Sequence, residues 1–342
     1  MIIRSKAPFR LGLAGGGTDV SPYSDEFGGA ILNATVNLYA YTTIIPRTDG
    51  KIILRATNLK QEFEFDSSTK LEINGDLSLQ KGVYNRIVKE FTKKPLSFEL
   101  TTTMDVSSGS GLGTSSTLVV SILGAFVEWL KLPLGEYDIA QLAFSIERED
   151  LKMQGGKQDQ YAATFGGVNF MEFYQNNKVI VNPLRIKKEW LNELEFNILL
   201  FYTQTSRESS KIIDTQAKNV LTKQDKPIKA MHLVKEQAFL MKEVLLRGDL
   251  NKIGAILHTS WENKKQMAVG ISNSAIDTIY SAARKAGAIG GKMSGAGGGG
   301  FMIFYVNDAK KQSVLTALNQ FKGEVRKFEF CEDGLTTWTV NE

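Results

Sequence analysis

Hydrophobic and polar positions divide the chain into two stretches of different character. The first hundred residues read mainly as strands. "ATVNLYAYTTII" at 34–45 is rich in β-branched and aromatic residues, and "KIILRA" and "QEFEFD" follow as a hairpin pair. A helix is expected at 79–91, where Leu79, Val83, Ile87 and Phe91 recur four apart. In "LSFELTTTMDV" at 96–106, Leu96, Phe98, Leu100, Met104 and Val106 share the even positions of a strand with one buried face. An unbroken apolar pattern from Leu118 to Leu130 then predicts a buried helix. A second helix over 136–150 groups Ile139, Leu142, Ala143 and Ile146, with Glu147 at the border of that face.

Beyond Leu151 the segment "KMQGGKQDQYAATFGG" reads as turns, and short strands are expected through 168–182. From about 187 the pattern changes. A buried strand at 195–203 precedes helices near 207–222, 229–247, 249–268 and 274–287. The series closes with strand, glycine loop, strand, a helix at 308–322 and a strand at 324–330. This order predicts an α+β protein of two domains, 1–186 and 187–342, the second with helices on one face of an antiparallel sheet.

Composition narrows the class. Of 342 residues, 42% are hydrophobic and 23% charged, an ordinary folded balance. The 41 basic and 37 acidic side chains are interspersed, without the basic block of a nucleic-acid arm. The single cysteine, Cys331, has no internal disulfide partner, and no Cys/His cluster has zinc spacing. "MIIRSKAPFR" does not read as a signal peptide, and "LVVSILGAFVEWL" is short for a membrane span and contains Glu128. A cytoplasmic protein with no membrane or nucleic-acid partner is expected.

Glycine changes the picture most. It clusters in "PFRLGLAGGGTD" at 8–19, "SSGSGLGTSS" at 107–116 and "KMSGAGGGGF" at 292–301. The second cluster lies between a strand and a helix, where glycines let the backbone wrap an anion and the helix N-terminus attracts it. Gly109, Ser110, Gly111, Leu112, Gly113, Thr114, Ser115 and Ser116 therefore form a candidate phosphate loop. It is not a Walker A loop, because no Gly-Lys-Ser or Gly-Lys-Thr occurs. The GxGxG spacing followed by two helices also departs from a dinucleotide fold. The third cluster, Gly295 and Gly297 to Gly300 around Ala296, has more glycine than a chain reversal needs and predicts close approach to a ligand. Asp159 in "GGKQDQ", beside Lys157, is a candidate base or metal ligand.

With these motifs in this order, the sequence resembles the GHMP kinases, the family of galactokinase, homoserine kinase, mevalonate kinase and phosphomevalonate kinase. The resemblance covers nearly the whole length. It implies an N-terminal domain similar to domain 2 of ribosomal protein S5, a ferredoxin-like C-terminal domain, and ATP and Mg²⁺ as cofactors. Ser115 and Glu147 match the metal-holding serine and carboxylate. Asp159 matches the residue that takes the hydroxyl proton or orients the acceptor, and Arg10 the basic residue beside it. Gly16, Gly17, Thr18, Asp19, Lys157, Gly295, Gly297 and Gly298 are the implied sugar contacts.

Two departures from the family pattern matter. Ser107 and Ser108 stand where proline often opens the phosphate loop, and Gly16-Gly17 replace the Glu-His of galactokinases, which points away from galactose. Within the family, "APFRLGLAGGGTD" and "GKQDQYAATFGG" are most similar to the branch that phosphorylates the anomeric hydroxyl of heptose phosphates; L-fucokinase is the alternative acceptor class. A silent ATP- and sugar-binding sensor is a further alternative, which the presence of Asp159, Glu147 and Ser115 opposes. A small-molecule sugar phosphate is the expected partner, acting on a monomer or homodimer. Lys157 is the preferred clamp for the substrate's phosphate, ahead of Arg207, Lys292, Lys264 and Lys265. His232 and His258 are expected to be packed or surface helix residues.

Overall fold

The computed structural model describes residues 1–205 and 209–341. The first part of the chain runs β1 (Ile2–Ala14), α1 (Tyr23–Phe27), β2 (Gly29–Pro46), β3 (Lys51–Ala56), β4 (Gln61–Asp66), α2 (Ser78–Ile87), β5 (Phe98–Met104), α3 (Thr114–Leu130), α4 (Glu136–Ser145), α5 (Gln158–Phe165), β6 (Val168–Phe173) and β7 (Val179–Pro183). There follow α6 (Lys188–Asn197), β8 (Ile198–Tyr202), α7 (Ser209–Leu221), α8 (Asp225–Arg247), α9 (Ile253–Lys264), α10 (Ser274–Ala286), β9 (Gly290–Met293), β10 (Phe301–Tyr305), α11 (Asp308–Leu318), β11 (Glu324–Arg326) and β12 (Thr336–Val340).

An eight-stranded sheet has the order β12-β1-β2-β5-β3-β4. The long β2 pairs with β5 through Ala40–Pro46 and with β6 through Gly29–Ala34, and β7 extends the β6 side. The expected hairpin is present as antiparallel β3–β4. In β5 the even positions Phe98, Leu100 and Thr102 are buried, while Met104 is half-exposed. A four-stranded antiparallel sheet, β11-β8-β10-β9, forms the second layer system.

Helix α3 is predominantly apolar, as a central helix must be, and every residue from Ser116 through Phe126 is buried, with the polar Ser121 hydrogen-bonded to Ser5 and Thr42. It packs on β1, β2, α4 and α5. The principal core continues from this helix and sheet into Ala238, Met241 and Leu257 of α8 and α9, so helices of the second part close over the first sheet. A second core, around Trp261, Met302 and Phe304, lies against the four-stranded sheet.

Two expectations are corrected. The segment read as turns contains α5, eight residues whose Tyr161, Ala162 and Ala163 are buried. Its polar opening "QDQ" and flanking glycines hide the helix. The chain leaves the first sheet at Pro183 and enters the second at Ile198, but it does not remain there. Strand β12, assigned by sequence to the 187–342 domain, pairs antiparallel with β1, Ile2 opposite Val340. Leu335 lies against Gly124 of α3, where an added Cβ would stand 2.5 Å from its Cδ1. Glu128 of α3 accepts hydrogen bonds from the Thr337 and Thr339 hydroxyls, which tie this returning strand down.

Candidate active site

The three glycine clusters meet. Phe301 N–H donates to the Ser110 carbonyl at 2.8 Å and Arg10 N–H to the Leu112 carbonyl at 3.4 Å. A Cβ at Gly295 would stand 2.8 Å from the Gly111 carbonyl oxygen. Between them opens a cleft of about 520 Å³, lined by Gly109, Gly111, Gly113 and Thr114–Ser116 on one side and by Gly17, Asp19, Gln216 and Lys264 on the other.

Arg10 and Asp159 form the centre. Arg10 comes from β1 and is 3% exposed; its Nε and Nη2 donate to Asp159 Oδ1 at 2.7 and 2.6 Å, and Nη1 donates to the Gly111 carbonyl at 2.7 Å. Asp159 stands in the first turn of α5, and its Oδ2 accepts no hydrogen bond among the described residues. Gly113 allows this arrangement, since a Cβ there would lie 2.8 Å from Asp159 Cγ. The same guanidinium therefore holds the carboxylate and the phosphate loop.

Glu147 lies on a single π-type turn, Ile146–Asp150, that continues α4. Such turns are frequent at functional sites. It is 1% exposed; Oε2 accepts from Gln160 Nε2 at 2.5 Å and Oε1 is 3.8 Å from the Arg148 guanidinium. Burial raises its pKa above the ordinary carboxylate value, against the lowering effect of Arg148. Gln160 Nε2 also donates to Ser116 Oγ at 3.0 Å and so joins the carboxylate to the start of α3. Glu147, Ser115 and Ser116 all line the cleft.

Asp19 is fixed by the helix opposite. Its Oδ2 accepts from the N–H groups of Lys157 and Gln158, at 2.8 and 3.0 Å, capping α5 at its positive end. Gly156 makes room, because a Cβ there would lie 1.9 Å from that oxygen. Burial, and secondarily Asp159, raise the Asp19 pKa, while the Gln158 N–H opposes the shift.

The remaining expected residues divide by position. Gly17, Asp19 and Gly295 line the cleft, whereas Gly16, Thr18, Gly297 and Gly298 do not. Thr18 Oγ1 donates to the Gly15 and Ala30 carbonyls, and Gly298 N–H donates to the Ile271 carbonyl. In the phosphate loop, Ser110 and Leu112 are buried away from the cleft.

Lys157 does not serve the cleft as expected. Its buried ammonium lies 3.4 Å from Asp25 and over the Phe144 ring, because the first residue before α5 faces away from Asp159. Lys292 donates to the Gly12 carbonyl at 2.7 Å, and Lys265 pairs on the surface with Glu262. Arg207 lies outside the described residues. Lys264 does line the cleft, together with Arg148, Ser209, Ser210 and Gln216, none of which carries a recognisable sequence motif. His232 and His258 are hydrogen-bonded to Tyr23 and Tyr280.

A glycine-rich loop leading into a helix, a buried carboxylate beside it and an aspartate–arginine pair at its edge have the makeup of a phosphotransferase site. The family comparison agrees: residues 78–167 match the GHMP kinases N terminal domain and 241–324 the GHMP kinases C terminal domain. The chain belongs to the GHMP kinase family and has its two-domain fold. It is 51% identical to the D-glycero-alpha-D-manno-heptose 7-phosphate kinase of Campylobacter jejuni, over 99% of each chain. The crystal structure of a D-glycero-D-manno-heptose 1-phosphate kinase from Bacteroides thetaiotaomicron superposes with a TM-score of 0.84 at 48% identity, covering 99% of this chain and 100% of that one. An L-fucokinase/L-fucose-1-P guanylyltransferase of Bacteroides fragilis is 26% identical over 90% of this chain and 35% of its own length. No helix among the described residues is long and apolar enough to cross a membrane.

Proposed function

We propose that this kinase transfers the γ-phosphoryl group of ATP, with Mg²⁺, to the anomeric hydroxyl of a heptose phosphate, converting D-glycero-D-manno-heptose 7-phosphate to the 1,7-bisphosphate in the cytoplasm. The observation that carries the reading is Asp159 held by Arg10 at the rim of the phosphate loop, Gly113 directly behind it. Two of the three named relatives support the acceptor class: they are named as kinases of a heptose that carries phosphate, placed at different positions in the two names.

The chemistry follows from the residues. Backbone N–H groups of 109–116 and the start of α3 receive the nucleotide phosphates. Glu147 and Ser115 both line the cleft and suit Mg²⁺, a hard cation that takes one or two protein oxygens and completes its shell with phosphate and water; Arg148, at 3.8 Å, is the cation paired with the buried Glu147 carboxylate. When bound, the ion neutralises phosphate charge. Asp159 Oδ2 accepts the acceptor's hydroxyl proton as that oxygen bonds to the γ-phosphorus and the bond to ADP breaks. Arg10 keeps Asp159 aimed and presents positive charge to the moving group. Asp19 and Gly17 border the sugar.

The direct test is ADP release with MgATP and a panel of heptose 7-phosphate, mannose 6-phosphate, L-fucose, galactose and mevalonate. Turnover confined to the heptose phosphate is expected. Preferential turnover of fucose would retain the mechanism and replace the acceptor.

A further inference from the structure

The acceptor side of the cleft contains a cation for which proton transfer and nucleotide binding have no use. Lys264, the last residue of α9, is 2% exposed yet lines the cleft. Its ammonium donates to the Gly295 carbonyl at 2.6 Å, and among the described residues it forms no ion pair with a carboxylate. An ammonium has three donors, and burying one without a close counter-charge is costly. Burial, then Arg10, lower its pKa to about 8; Asp19 and Asp159 oppose the shift. Of the other cations around it, Arg10 is held by Asp159 and the Gly111 carbonyl, Arg148 lies 3.8 Å from Glu147, and Lys292 is committed to Gly12, while Lys152 also lines the cleft.

Two glycines stand close to Lys264 and its neighbours, where side chains would not fit without displacement. A Cβ at Gly16 would stand 3.3 Å from the ammonium nitrogen, and one at Gly17 would meet Met267 Cε at 2.9 Å and the Gln216 amide at 3.1 Å. Gln216 Nε2 donates to the Gly17 carbonyl at 2.6 Å, and the hydroxyl residues Ser209 and Ser210 line the same end. Bare backbone, hydroxyls and one uncompensated ammonium make a seat for a compact group with several anionic oxygens.

We propose that Lys264 is a specificity-determining residue whose ammonium binds the phosphate that the acceptor already carries, between Gly17 and the first turn of α7. This rests on the reading of the protein as a sugar-phosphate kinase. It assigns to a helix of the second part of the chain the role that sequence proximity gives to Lys157.

The test compares wild type with Lys264→Met, Lys264→Arg and the surface control Lys265→Met, on D-glycero-D-manno-heptose 7-phosphate and on the same heptose without phosphate. A charge-assisted hydrogen bond of this kind predicts that Lys264→Met raises KM for the phosphorylated heptose roughly 10- to 100-fold. KM for ATP and for the unphosphorylated heptose stays within about twofold, Lys264→Arg recovers part of the loss, and Lys265→Met is unchanged. In wild type, KM for the phosphorylated heptose rises above about pH 8 as the ammonium loses its proton, and Lys264→Met lacks that limb. Equal losses on both heptoses, or a fall in kcat with acceptor KM unchanged, overturn the proposal in favour of a role at the transferred phosphoryl group. If wild type turns over neither heptose, the acceptor reading has failed, and calorimetry with inorganic phosphate at saturating MgADP still decides the clamp. Weaker phosphate binding in Lys264→Met supports it; equal binding overturns it.

Discussion

The phosphate loop at 107–116 and the glycine loop at 294–300 are similar in composition and opposite in use. In the first, Gly109, Gly111 and Gly113 all line the cleft and have positive φ. Here glycine turns backbone toward the cleft, with α3 continuing behind it, although Gly111 also backs onto the Ser294 carbonyl, 2.8 Å from where its Cβ would stand. In the second, only Gly295 and Ala296 reach the cleft. A Cβ at Gly297 would meet the Ile271 carbonyl oxygen at 2.6 Å, one at Gly299 the Thr205 carbonyl at 2.5 Å, and one at Gly300 the Ser110 carbonyl at 2.3 Å. These glycines let backbone approach backbone and hold the first loop from behind. Glycine density alone marks closeness, and only the fold says whether the close neighbour is a ligand or the protein itself.

The largest effect is expected at the residue on which the phosphate loop leans. Asp159→Ala should lower kcat by roughly 10²–10⁴-fold, the usual worth of a general base, with the protein still folded by circular dichroism. Near-normal turnover would remove Asp159 from the mechanism.

The contrast between the loops is tested most directly by a pair of alanines. Gly300→Ala (φ 95°) combines left-handed strain with a carbonyl contact and should destabilise the protein by about 3 kcal/mol in urea unfolding. Gly113→Ala (φ 79°) pushes instead on a side chain. Its stability loss should be smaller, about 1–2 kcal/mol, while the displaced Asp159 lowers kcat by roughly 100-fold. Should Gly300→Ala unfold no more easily than Gly113→Ala, the division of labour between the loops is wrong.

A smaller effect concerns the metal side of the first loop. Because burial raises the Glu147 pKa, a proton competes with the cation, and Mg²⁺ half-saturation should move to higher concentration as pH falls. Glu147→Gln should flatten that dependence and raise the Mg²⁺ requirement about tenfold. Without metal, the raised pKa means that folding disfavours the ionised carboxylate. The variant should therefore lose less stability than wild type as pH rises above the ordinary carboxylate range; Asp19, whose pKa burial also raises, contributes equally to both. An unchanged Mg²⁺ titration would exclude Glu147 as a ligand.

That residues 109–116, Arg10, Glu147 and Asp159 gather around one cleft was legible in the sequence, because each carries a signal in local order: glycines before a helix, a carboxylate at the border of an apolar face, an aspartate in a motif. Lys157 misled because two residues along the chain at a helix start can point to opposite sides, and no spacing rule reports which. Lys264 has no local signal, as its burial against Gly295 depends on two segments far apart in sequence. The helix α5 is too short, and too polar at its start, to show a clear period. Strand β12 is five residues long and never more than half-buried, so its membership of the first sheet is set by a partner at the other end of the sequence.

That returning strand also bears on the order in which the molecule can be completed during synthesis. β1, which carries Arg10, precedes the other described strands of its sheet along the chain, yet its outer edge is paired through Ile2–Lys6 only when Thr336–Val340 have been made. Until then a strand of thirteen residues has one unpaired border, the kind of edge on which nascent chains associate wrongly. The early sheet must therefore wait for its last strand, with its open side needing protection, before the kinase can seal itself.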